Sequence, residues 1–188
     1  MSPSEKLQYQ EQAITDLVAN VSPDQLSNAT PCANWDTRGL LNHLVGGATL
    51  IGSAMGGNPM EMDLDGPMPD LVGDDPAGAW AQAIQTFNAG ADSEGAMERD
   101  ITLPLGTLPG GVILEMLTFD LLVHAWDLSQ ATGQAFDPPA DVVEQATATA
   151  RQMLAPEFRD GDTFAAEVTP SDTATDMERL AAFTGRSV

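Results

Sequence analysis

An all-α protein, a four-helix bundle with a short C-terminal α/β tail, is the fold class this sequence predicts. Three observations predict it. Apolar residues recur at helical spacing over long segments, Gly- and Pro-rich punctuation separates those segments, and only 98–109 and 163–168 look extended. The 188 residues, 43% of them apolar, suit one body with a core of its own. The expected division is a bundle over 1–155 and an appendage over 156–188 packing on it.

The first helix is expected over 4–21, where Leu7, Ile14, Leu17, Val18 and Val21 fall at spacings of three, four and seven. Ser22-Pro23 ends it, and a Thr30-Pro31-Cys32 turn leads to Trp35-Asp36. Asp36 is the expected N-cap of a second helix over 37–55, with Trp35 stapling it from outside. Residues 56–75 read as a long loop rich in Gly, Pro and Asp. A third helix follows over 76–91, with Pro76 in its first turn and Trp80, Ile84 and Phe87 inward. Residues 98–109 read as a short strand or a crossing loop. The fourth helix runs from 110 to 132, closed by Gly133, with an inward stripe of Ile113, Met116, Leu117, Asp120, His124, Asp127 and Leu128. A fifth spans 138–154, and an extended piece at 163–168 and a last helix over 174–183 complete the chain.

Seven Lys+Arg stand against 28 Asp+Glu, a formal net charge of −21. Such a surface repels phosphate backbones and anionic lipid, so neither nucleic acid nor membrane is an expected partner. High acidity is also a common solubility device. No apolar run reaches membrane-spanning length, and the polar start MSPSEKLQYQEQ lacks the apolar core of a signal peptide. The single cysteine, Cys32, forbids an internal disulfide and suits a cytoplasmic setting.

The residues that carry chemistry are few. The only histidines, His43 and His124, both fall in apolar stripes of long helices. Asp120 precedes His124 by four residues inside Thr118-Phe119-Asp120-Leu121-Leu122-Val123-His124, so the two share a helix face. If the second helix lies beside the fourth, His43 supplies a third ligand. The result is a two-His, one-carboxylate metal site with a position open to water or substrate. An ionised Asp among Phe119, Leu121 and Leu122 is costly unless paired, and a divalent cation offsets that cost. The same residues allow two plainer readings: Asp120 and His124 hydrogen-bond to each other in the core, or Asp120 turns to solvent. The ligand set also suits non-haem Fe2+, Ni2+ or Cu2+.

The stretch from Thr30-Pro31-Cys32-Ala33-Asn34-Trp35-Asp36 through Leu40-Leu41-Asn42-His43-Leu44 resembles the first signature of the mycothiol-dependent maleylpyruvate isomerase N-terminal-domain family, within the DinB-like superfamily. Asp120-Leu121-Leu122-Val123-His124-Ala125-Trp126-Asp127-Leu128, with Ala131-Thr132-Gly133, resembles its second. Leu180-Ala181-Ala182-Phe183-Thr184-Gly185-Arg186 resembles an ending common among actinobacterial members. The resemblance implies a DinB-like four-helix bundle. It implies a metal, most often Zn2+, on His43, Asp120 and His124, with a low-molecular-weight thiol such as mycothiol or bacillithiol as cosubstrate. The implied function is a metal-dependent enzyme that activates the thiol for transfer to, or isomerisation of, a small electrophile. The alternative is a non-catalytic metal-binding or ligand-binding bundle, and a third reading is a plain bundle with a structural Asp120–His124 pair. Two departures narrow the carry-over. The full isomerase has a separate C-terminal domain for which this chain has no comparable length, and the carboxylate is Asp rather than the longer Glu of some relatives. A monomer or homodimer is expected.

Smaller signals have plain readings beside functional ones. Trp35 and Trp126 suit the core, and Cys32 suits a small buried position rather than a reactive thiol. Asp127 can orient a ligand or pair elsewhere. Arg38 suits a salt bridge with a nearby acid rather than an anionic substrate. Met55, Met60, Met62 and Met68 form either an adaptable lid or a loop without duty. Gly47 lets helices approach or opens space. Gly46-Gly47 and Gly110-Gly111 match no phosphate-cradling pattern.

Overall fold

Among the described residues, helix signals in the sequence translate into six α-helices and one small sheet. The computed structural model describes residues 3–60, 69–103, 106–156, 159 and 163–188. In chain order they form α1 (Pro3–Ala19), a 3-10 helix (Pro23–Ser27), α2 (Thr37–Met55), α3 (Pro76–Ala91), β1 (Asp100–Leu103), β2 (Gly106–Pro109), α4 (Gly110–Thr132), α5 (Ala140–Met153) and α6 (Asp176–Phe183). The protein is mostly helical with a two-stranded sheet. No helix among the described residues is long and apolar enough to cross a membrane.

The chain divides into two compact units, Met1–Leu40 with Met116–Val188, and Leu41–Glu115. In the first unit, α4 departs from the expected single stripe. Every residue from Leu121 to Ser129 is buried, as in a helix covered on all sides. Its apolar core gathers Phe119, Leu122, Val123 and Trp126 from α4, Val142, Val143, Ala146 and Ala150 from α5, and Met177, Leu180 and Phe183 from α6. Each large side chain so buried contributes about 1.5–3 kcal/mol against exposure. Side-chain amides satisfy the terminal carbonyls that helices leave over. Asn28 donates to Ala131 O at 2.8 Å, Gln25 to Thr132 O at 2.9 Å and Gln134 to Leu17 O at 2.9 Å. Gln10 adds a 2.7 Å bond to Thr118 O, tying α1 to α4.

The tail differs from its expected α/β character. Residues 163–168 form no strand; they run alongside the end of α6 through two backbone bonds, Ala165 N to Thr184 O at 3.3 Å and Val168 N to Ala182 O at 2.9 Å. Two isolated bonds to a helix terminus do not make a ladder. Arg159 donates to the carbonyls of Ala165 (2.7 Å) and Phe183 (2.8 Å), and its guanidinium lies 4.7 Å from the Phe183 ring centre. Thr175 and Glu178 start α6 with a capping box: Thr175 Oγ1 accepts from Glu178 N at 3.2 Å, and the Glu178 carboxylate accepts from Thr175 N at 2.6 Å.

In the second unit, Leu44, Met55, Trp80, Phe87, Ile101 and Ile113 are buried. Close approach of α2 and α3 occurs at Gly52 and Gly90. A Cβ on Gly52 would lie 2.6 Å from Phe87 N and 2.7 Å from Thr86 O, so only glycine fits. Gly47, where a close approach was an option, has no atom within 4 Å of such a Cβ. Asp75 caps α3 by accepting from Gly78 N at 2.9 Å, with Pro76 in the first turn as expected. Within 98–109, β1 and β2 pair antiparallel, with Thr102 opposite Thr107 and their hydroxyls 3.0 Å apart. Arg99 closes the C-terminal end of α2, donating to Met55 O and, at 3.0 Å, to Glu94 O. Met55 is fully buried in this unit, so it belongs to the interior rather than to a lid; Met60 is exposed, and Met62 and Met68 lie outside the described residues.

Candidate metal centre

Helical pitch brings Asp120 and His124 together. One turn apart on α4, they place Asp120 Oδ1 3.5 Å from His124 Nε2. The imidazole is wholly buried, while the Asp120 side chain is 20% exposed, so the pair opens to its surroundings on the aspartate side. On the far side of the ring, Nδ1 lies 3.0 Å from Asp127 Oδ2. The imidazole therefore stands between two carboxylates, each facing one nitrogen.

Arg186 fixes the second carboxylate. Its Nη2 donates to Asp127 Oδ2 at 2.7 Å and its Nε to Oδ1 at 3.1 Å, a two-pronged pairing with both groups buried. Nη1 donates to the carbonyls of Thr163 (2.8 Å) and Thr184 (3.0 Å). The turn after α6 aims this side chain back into the unit. Gly185 takes φ +97°, a Cβ there would lie 2.6 Å from that of Ala165, and Arg186 N reaches back to Ala181 O at 3.0 Å. Rings cover the imidazole: Phe164 stacks at 6.2 Å and Trp35 tilts at 5.8 Å, while the Arg186 guanidinium lies 5.2 Å from the Phe164 ring centre. Trp35, expected in the core, is thus only half-buried and packs on a ring with chemistry. Trp126 is in the core, and Cys32 is buried with its thiol donating to Thr163 O at 3.8 Å.

The electrostatics follow from these contacts. Burial pushes the Asp127 carboxyl up, but the His124 hydrogen bond and the charge and hydrogen bonds of Arg186 outweigh it and hold the group below the usual carboxylate range. Burial alone would pull the His124 imidazole down; the charge and hydrogen bond of Asp120, then those of Asp127, raise it above the ordinary value. A neutral imidazole carries one N–H. With Asp127 ionised, Nδ1 is the nitrogen placed to donate to it, and Nε2 faces the Asp120 carboxylate. A second proton or a cation relieves that confrontation.

A divalent metal fits the donors. Two ligand atoms about 2.1 Å from a tetrahedral ion lie about 3.4 Å apart, close to the Asp120–His124 separation. A carboxylate on the remote imidazole nitrogen is the usual support of a metal-binding histidine. His43 lies half-buried on α2 in the unit Leu41–Glu115. Its neighbour Asn42 accepts from Leu71 N at 2.8 Å and Val72 N at 3.0 Å, holding that segment to α2. Asp36 caps α2 as expected, accepting from Gly39 N at 2.8 Å. Spacing on one helix was enough to find Asp120 and His124. Arg186 escaped because its partner is 59 residues away and nothing local to Thr184-Gly185-Arg186 marks it as buried.

Fold and site together define a helical protein whose central helix presents an acid-x-x-x-His pair, with the histidine oriented by a second, arginine-clamped acid. The chain belongs to the mycothiol maleylpyruvate isomerase N-terminal domain family, whose model matches residues 7–129. Two proteins of Mycobacterium tuberculosis, both described as uncharacterized, one from strain CDC 1551 / Oshkosh and one from strain H37Rv, are each 38% identical over 190 residues, covering 100% of this chain and 100% of each relative. No solved structure matches the chain.

Proposed function

We propose that the protein is a metal-dependent enzyme that activates a low-molecular-weight thiol, of which mycothiol is the type, for transfer to or isomerisation of a small electrophile. His43, Asp120 and His124 are the proposed ligands, and Zn2+ the proposed ion, with Ni2+, Fe2+ or Cu2+ admitted by the same donors. Family membership supports the thiol. One observation carries the metal: a buried imidazole whose Nδ1 is committed to Asp127 while its Nε2 meets the Asp120 carboxylate at 3.5 Å.

A bound divalent ion would lower the pKa of a ligated thiol and so supply a thiolate at neutral pH. The remaining work falls to the chain. Asp127 and Arg186 hold the imidazole, Trp35 and Phe164 exclude water from its faces, and the partly exposed Asp120 leaves the approach open.

The test is turnover. Metal-loaded protein is mixed with mycothiol and a haloarene, a carbon–sulfur bond forms, halide leaves, and the thiol proton goes to solvent. The reading predicts halide release that depends on protein and on metal, lost in Asp120→Ala and His124→Ala. Metal binding with no release above the thiol's own background would reduce the protein to a metal-binding module.

A further inference from the structure

The family match stops at residue 129, yet the side chain that governs the orienting acid comes from residue 186. We propose that Arg186 is a positioning residue for His124. By clamping Asp127 it holds the imidazole proton on Nδ1 and leaves the Nε2 lone pair free to ligate beside Asp120. The inference rests on the metal reading for what Nε2 serves, but the position of the proton can be measured without metal.

The hydrogen-bond partners of Asp127 fix which nitrogen holds the proton. Both Asp127 oxygens receive guanidinium N–H groups, at 3.1 and 2.7 Å, so the carboxyl has no proton to give His124. It can only accept, and Nδ1, 3.0 Å from Oδ2, has to be the donor. Without the guanidinium fork, nothing holds the two Asp127 oxygens in place, and Nδ1 loses its fixed acceptor. The proton would then move to Nε2, and the nitrogen beside Asp120 would stop being a ligand. Arg186 can hold this role because it is fixed itself, by the carbonyls of Thr163 and Thr184 and by the Phe164 ring. Lysine offers a single charge and no planar fork, so it does not replace it.

Nitrogen-15 NMR of imidazole-labelled, metal-free protein tests this, recorded at a pH where the ring is neutral. The chain has two histidines, and His43→Gln assigns the signals. The wild type is expected to carry the His124 proton on Nδ1, and Asp127→Asn and Arg186→Gln to shift it toward Nε2. Zinc affinity, measured by chelator competition, is expected to fall about 10–100-fold in Arg186→Gln and to stay reduced in Arg186→Lys. A wild-type proton on Nε2 overturns the proposal, as does a folded Arg186→Gln with unchanged zinc affinity. If Arg186→Gln does not fold, the wild-type tautomer and Asp127→Asn decide. A wild type with the proton on Nδ1 that binds no zinc would leave Arg186 in its role and remove the metal reading alone.

Discussion

Asp127 and Arg186 show what a buried charge demands of its neighbours. Each is almost wholly enclosed, and each is acceptable only because the other is there. Asp127→Ala leaves a guanidinium without its counter-charge and should cost about 3–5 kcal/mol, read as a lower urea midpoint. The pair also fixes a pH dependence. Folding depresses the Asp127 pKa, so its contribution is fully present above the unfolded value of about 3.9 and is lost as pH falls through the folded value. Unfolding free energy should therefore decline below about pH 4, and less steeply in Asp127→Asn; equal acid slopes would contradict the assignment. At this scale the sequence was legible wherever partners share a helix. Asp120, His124 and Asp127 lie within two turns, and helical pitch is enough to bring them together. The roles of Trp35 and Arg186 were not legible, because their contacts with His124 and Asp127 join residues far apart along the chain.

Elements were read well where local signals agree. Asp36 before α2, Asp75-Pro76 before α3 and Gly133 after α4 mark ends that the structure keeps, because caps and turn residues act within a few positions. The segment 163–168 misled for the opposite reason. It bends at Thr163, Phe164 and Ala166, and a strand needs a pairing edge where the end of α6 offers two backbone bonds. The α4 stripe holds, with Ile113, His124, Asp127 and Leu128 buried, but burial extends beyond it because α4 is covered on every side between Leu121 and Ser129. Packing at this scale yields a sharp test in the second unit. A Cβ at position 90 would meet the Gly52 backbone, which cannot rotate away as a flexible side chain can. Gly90→Ala should destabilise by about 1–3 kcal/mol or more through overpacking, whereas Gly47→Ala, with open space around it, should be near neutral or stabilising. Thermal melts of the two variants side by side would check the contrast.

The whole molecule carries a net charge of −21, with only seven Lys+Arg to offset 28 acids. Self-repulsion on that scale destabilises a compact state at low ionic strength, and salt screens it. The melting temperature should rise as sodium chloride is increased from about 10 mM to about 150 mM, over which the screening length falls from about 30 to about 8 Å; a flat or falling profile would mean that the acids are already neutralised locally. The excess acidity also bears on the proposed centre, since it concentrates cations at the surface of a protein that places a carboxylate and a histidine side by side. Elemental analysis of untagged protein, purified without added metal and then exposed to chelator, reads the metal centre itself. About one divalent ion per chain is expected before chelation, absent in Asp120→Ala and His124→Ala, with a melting temperature that drops on chelation and recovers with zinc. Metal-free protein whose melting is indifferent to zinc and to chelator would contradict it.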